Sequence, residues 1–146
     1  MAGFSDTYEA AILNLLLAAK AIANIADNAA AAPATVVWVS LHTADPGDTG
    51  TQGTNESAYA GYTRISVART TGGWTVTGVT GASPVAAITF PQATSTSTST
   101  ITHAGIGLSS ATTAGILIAS GALSPTINIS QNVTPSLTTG SSFTLD

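Results

Sequence analysis

Apolar and polar residues alternate most cleanly between Pro84 and Ser109. In the first half Ala86, Ile88 and Phe90 alternate with Val85, Ala87 and Thr89, and in the second Thr102, Ala104, Ile106 and Leu108 alternate with Ile101, His103, Gly105 and Gly107. A period of two is the mark of a strand that turns one face to a core, so the stretch predicts two strands. Pro91 ends the first because it has no N–H for a ladder. The alternating Ser and Thr of residues 94–100 read as an exposed connection or a hairpin extension.

Upstream the period changes. Asp6 followed by Glu9 has the capping-box spacing that satisfies orphan N–H groups at a helix start. Ile12, Leu13, Leu16 and Leu17 then form one stripe, and the Ala-rich continuation has high helix propensity. A helix over residues 6–27 is predicted, released by Asn28 and the Ala run to Pro33. Its apolar surface is too large for a solvated arm, so it is expected to pack on the sheet or against a neighbouring subunit.

Alternation returns at Thr35–Thr43, with Val37, Val39 and Leu41 on a core face and Val36, Trp38, Ser40 and His42 on a mixed outer one. Residues 44–61 are rich in Gly, Asp, Pro and Asn, and a loop this long is usually functional, which marks it as a contact loop. Tyr62–Ala68 reads as a strand with Ile65 and Val67 inward and Tyr62, Arg64 and Ser66 outward. Gly72 and Gly73 turn the chain, Trp74–Thr77 starts another strand, and Gly115–Leu123, Thr126–Val133 (Ile127 and Ile129 inward) and Ser142–Asp146 (Phe143 and Leu145 inward) follow. About eight short strands after one helix, with no βαβ alternation, predict an all-β fold, an antiparallel jelly-roll-like sandwich with an N-terminal α-helix. The expected organisation is a single domain over residues 1–146, its sandwich spanning 35–146.

Composition narrows the function classes. Charged residues make up 7% of the 146 positions, against roughly 25% in an average protein. A surface this neutral has little electrostatic protection against self-association, so part of it is expected to be covered by partners. Three basic residues, Lys20, Arg64 and Arg69, and a net charge of −4 argue against a protein that tracks nucleic-acid phosphates. The apolar run of residues 10–19 is too short to span a bilayer, and Asp6 and Glu9 stand where a secretory leader would carry Lys or Arg. With no cysteine there is neither a disulfide nor a thiolate nucleophile.

Reagents are sparse. His42 and His103 lack ligand spacing, and a metal would need both to converge with Asp45, Asp48 or Glu56. There is no G-x-S-x-G elbow and no calcium-loop ligand order, so the acids read as turn residues. The matches to the glycosylation sequon at Asn55, Asn128 and Asn132 are what so much Ser and Thr produces by chance. The expectation is a non-enzymatic protein without cofactors.

Six colinear pieces carry a resemblance: MAGFSD at Met1–Asp6, VSLHTADPGDTGT at Val39–Thr51, GYTRISV at Gly61–Val67, AAITFPQAT at Ala86–Thr94, ITHAGIG at Ile101–Gly107 and FTLD at Phe143–Asp146. Together they resemble a family of small tailed-bacteriophage structural proteins labelled head cement or decoration proteins, and sometimes tail fibre proteins. The resemblance implies a jelly-roll protein, made in the host cytoplasm, that binds the outer surface of the phage head as a homodimer or homotrimer and clamps major capsid protein subunits. On that reading the contact residues are Leu13, Leu16 and Leu17 of the helix, Trp38 and His42, Asp45, Asp48, Glu56 and Tyr59 of the loop, and Tyr62 and Arg64, a set with aromatic and Arg anchors suited to an interface. The alternative is a tail fibre or tail-tip protein that recognises a host glycan, with Trp38, Tyr62 or Trp74 stacking on a sugar and the Ser/Thr tract lining the site.

Overall fold

A computed structural model describes residues 6–21, 34–47, 49–77, 81–112 and 114–144. The far end of the expected helix, Asp48, Leu145 and the side chains of the expected capping box lie outside the described residues. Among the described residues the chain is all-β with antiparallel sheets, no closed barrel and one N-terminal helix, in keeping with a sandwich. In order come α1 (Asp6–Ala18), β1 (Val36–His42), β2 (Ile65–Ala68), β3 (Trp74–Thr77), β4 (Gly81–Pro84), β5 (Ile88–Thr89), β6 (Ser99–Gly107), β7 (Leu117–Ile129), β8 (Ser136–Leu137) and β9 (Phe143–Thr144). They fall into two compact units, Met1–Val36 with Ala68–Ala87 and Leu137–Asp146, and Val37–Val67 with Ile88–Ser136.

In the first unit α1 packs on the β3–β4 hairpin, and β9 pairs with the far edge of β4. Leu13, Leu17, Trp74 and Ala82 are buried there. α1 ends at Ala18, and residues 19–21 of the predicted helix are not helical. Ala19 takes a left-handed conformation (φ 53°), a cost of about 1–2 kcal/mol for a residue with a Cβ, and the Lys20 N–H returns to the Asn14 carbonyl at 3.0 Å. Arg69 supplies the reason. Its Nε donates to the Leu16 carbonyl at 2.6 Å and its Nη2 to the Leu15 carbonyl at 2.5 Å, so a guanidinium satisfies orphan carbonyls at the negative end of the helix dipole. Propensity alone would have carried the helix on through the alanines.

The second unit holds a four-stranded sheet in the order β2-β1-β6-β7 and the short β5–β8 pair. Val37, Val39, Leu41, Ile101, Ala104 and Ile106 fill its core from neighbouring strands, with Ile88, Phe90 and Ile129. Two departures from strict alternation have a common cause. Ile101 and Ala104 are both buried although three positions apart, because the β6–β7 register shifts between Ile101 and His103 and turns the strand over. On β7 the same bulge sets residues 123–126 against Thr102 alone, which accommodates Pro125 inside one 13-residue strand where two were expected. Ala86 and Leu108, expected inward, are exposed because they lie just outside β5 and β6.

The mixed face assigned to β1 is corrected. Ser40 and His42 are fully buried, since residues 54–57 fold back along the strand: the Ser57 N–H donates to the Leu41 carbonyl at 2.8 Å and the Thr43 N–H to the Asn55 carbonyl at 2.9 Å.

Candidate functional site

The polar residues singled out around the long loop converge within the second unit. The Arg64 guanidinium lies flat against the Glu56 carboxylate, with Nε donating to Oε1 at 2.7 Å and Nη2 to Oε2 at 2.6 Å, the bidentate fork for which arginine is shaped. Its Nη1 donates at 2.9 Å to the carbonyls of both Ser109 and Ala114, on the connection between β6 and β7. Tyr62 donates its O–H to Glu56 Oε1 at 2.8 Å and accepts the Leu41 N–H at 3.0 Å. Burial raises the Tyr62 phenol far above its ordinary value, with Glu56 adding to the effect, and burial alone pushes Tyr59 up to about 12. Both phenols therefore stay protonated and donate. Tyr59 packs edge-on against Tyr62, which stacks on Phe90.

Gln52, which the sequence reading passed over, completes the arrangement. It is fully buried, donates through Nε2 to the Trp38 carbonyl at 2.8 Å and accepts the Ser109 N–H at 3.3 Å. Gly107 makes room for it, because a Cβ there would collide with the Gln52 amide. The long loop and the 108–116 connection are thus buckled together from inside by Gln52 and Arg64. This corrects the outward orientation read for Tyr62 and Arg64: they precede the first residue of β2, so strand alternation does not apply to them.

His42 is likewise an internal group. Its Nδ1 lies 2.9 Å from the Thr54 carbonyl, which can only accept, so the proton sits on Nδ1 and Nε2 accepts the Ser40 O–H at 2.9 Å. Gly105 beside them admits no side chain, since a Cβ would stand 2.8 Å from His42 Nε2. This dyad has no access to a substrate. Burial, the largest influence, holds the imidazole below its ordinary 6.5; Arg64 and His103 lower it further, against the Thr54 bond and Glu56, which raise it. The unfolded chain therefore takes up this proton near 6.5 and the folded chain only at lower pH. Stability is complete above 6.5 and declines as pH falls through the window beneath it, by up to about 1.4 kcal/mol per pH unit. Thermal unfolding between pH 5.5 and 7.5 should show that slope and His42→Gln should flatten it; an equal slope in the variant would assign the effect elsewhere.

The other expected contact residues are distributed as follows. Leu13, Leu17 and Tyr59 are buried in the chain's own packing, Leu16 and Trp38 are half-buried, and Asp45 is exposed with its carboxylate accepting the Gly47 N–H at 2.9 Å. Trp74, one of the aromatics considered for a sugar platform, is buried against Phe143. An open cleft of about 310 Å³ runs past Glu56, Ser57, Tyr59, Tyr62 and Thr112, and another of about 350 Å³ lies between Gly47, Gly50 and Leu117–Ser120. In the first, the carboxylate and both phenols are already committed to partners within the chain. Among the described residues no three acids or histidines gather as a metal site, and no helix is long and apolar enough to cross a membrane. What the arrangement does is lock loops.

Compared with known families, residues 3–143 match the family described as podophage GP4 fiber I protein gp80. No curated protein matches the chain.

Proposed function

The chain belongs to the podophage GP4 fiber I protein gp80 family, which makes it a bacteriophage virion structural protein, and on that premise we propose that it is a component of a tail fibre. The observation that carries this reading is the extent of the family match, residues 3–143, under a description that names a fibre. It takes precedence over the head-cement reading for that reason. The site supports a mechanical role: the charges and phenols around Glu56 are spent on one another and on backbone carbonyls, so they hold loops in place rather than being presented to a ligand. Trp74 is buried and the Tyr62 hydroxyl is spent inside the chain, while Trp38 is half-buried, so the reading favours a structural segment of the fibre over its glycan-binding tip.

Gold-labelled antibody on purified virions tests this, together with the copy number per particle. Label confined to tail appendages, at a few copies, is expected. Label spread over the head at high copy number would overturn the fibre assignment and restore the cement one.

A further inference from the structure

We propose that the N-terminal half of β7 is a pairing edge for a second copy of this chain, joined about a two-fold axis by antiparallel strand addition. Among the described residues β7 ends its sheet, with no strand paired along one row of its backbone N–H and C=O groups. Such an edge is a template for another strand, and natural proteins normally blunt it with lysine, proline or shortness. This edge has neither lysine nor proline in its first half, although register shifts bound its regular part at both ends. The strand is 13 residues long, its proline lies in the bulge of residues 123–126, and the chain carries no Asp, Glu, Lys or Arg from residue 70 to residue 145. Between the two register shifts, Ala119–Ala122 run unbroken against Ile106–His103 and are all exposed.

A second observation points to the same place. Three large hydrophobic residues are exposed among the described residues, and two of them, Ile116 (67%) and Leu108 (45%), flank this edge, bonded to each other through the Leu108 N–H and the Ile116 carbonyl at 3.1 Å. A strand that docked on β7 and continued past Leu117 would run alongside Ile116. The occupant is another copy because an antiparallel edge is complementary to itself: a two-fold axis sets each N–H opposite a C=O of the identical segment. Without charge on the segment, like groups meet without repulsion, whereas a foreign partner would be given nothing to recognise. The core of the contact is short, on the order of four backbone hydrogen bonds. Isolated chains should therefore associate reversibly.

The test uses the full-length protein in sedimentation, with Gly121→Lys and Ser120→Lys. A Cβ at Gly121 meets nothing within 4 Å, so the fold should tolerate the change, as unaltered circular dichroism and thermal unfolding would show. Wild type is expected to form a concentration-dependent dimer, and each lysine, on or next to the axis and so close to its own copy, to weaken it at least tenfold, while Thr71→Lys on an exposed turn of the first unit leaves it unchanged. Because the chain has no cysteine, single cysteines at positions 119–122 provide an independent reading. The position on the axis should cross-link to itself on mild oxidation at least tenfold faster than its neighbours. A monomeric wild type, a dimer indifferent to both lysines, or uniform cross-linking across the four positions would overturn the proposal. None of these results depends on where the protein sits on the particle, so this interface and the fibre assignment stand or fall separately.

Discussion

Replacing Arg64 with alanine should destabilise the fold by about 3–5 kcal/mol, the cost of removing one member of a buried ion pair and leaving the other charge without a partner. Arg64 is 3% exposed, and both oxygens of Glu56 rest on it. The same substitution strips the donors from the Ser109 and Ala114 carbonyls, so the 108–116 connection loses its anchor together with the loop that carries Glu56. Urea unfolding measures the loss. The double variant Glu56→Gln/Arg64→Met should lose less than Arg64→Ala, because it removes the stranded charge along with its partner and keeps most of the volume. Amide exchange should accelerate first in the two loops that Arg64 ties together. A loss under about 1 kcal/mol, the worth of a solvated surface pair, would mean that water reaches the carboxylate and that the buckle is not structural.

That residue also shows where the sequence stops being legible. Alternation is a local signal, and it located β1 and β6 to within a few residues and β3 to the residue, but what covers each face, as for Ser40 and His42 on β1, depends on distant segments. Arg64 stands just before β2, and its partner Glu56 sits in a loop whose course no period encodes. One usable signal was scarcity: a chain with three basic residues does not place them idly, and two of the three are internal clamps, Arg64 on a carboxylate and Arg69 on the end of α1. Residue types also misled in a physically instructive way. Alanine propensity extended α1 beyond the point where Arg69 and the left-handed Ala19 end it, and Pro125 split a strand that a bulge keeps whole. In each case tertiary contacts or register overrode a correct local preference. Gln52 carried no such signal, because a glutamine in a polar loop looks the same buried or free.

Trp74→Ala should cost about 3–5 kcal/mol of stability, as for a large aromatic removed from a packed core. The indole is 1% exposed, meets the Phe143 ring edge-on at a centroid distance of 5.8 Å and lies on the hairpin that carries α1, so its loss would open a void among β3, β4, β9 and the helix. Trp74→Phe should behave differently. The indole Nε1 has no hydrogen-bond partner among the described residues, and a buried donor left unsatisfied is itself a cost of about 1–3 kcal/mol. Phenylalanine removes that donor while keeping a ring against Phe143, so its net loss should stay under about 1.5 kcal/mol. Denaturant midpoints for the two variants decide it. Were Trp74 a sugar-stacking platform, alanine would leave the midpoint nearly unchanged and abolish carbohydrate retention; the geometry requires the reverse order of effects. A phenylalanine variant as unstable as the alanine one would show that the indole N–H finds a partner in the folded protein, and the packing argument for this corner of the first unit would have to be rebuilt around that bond.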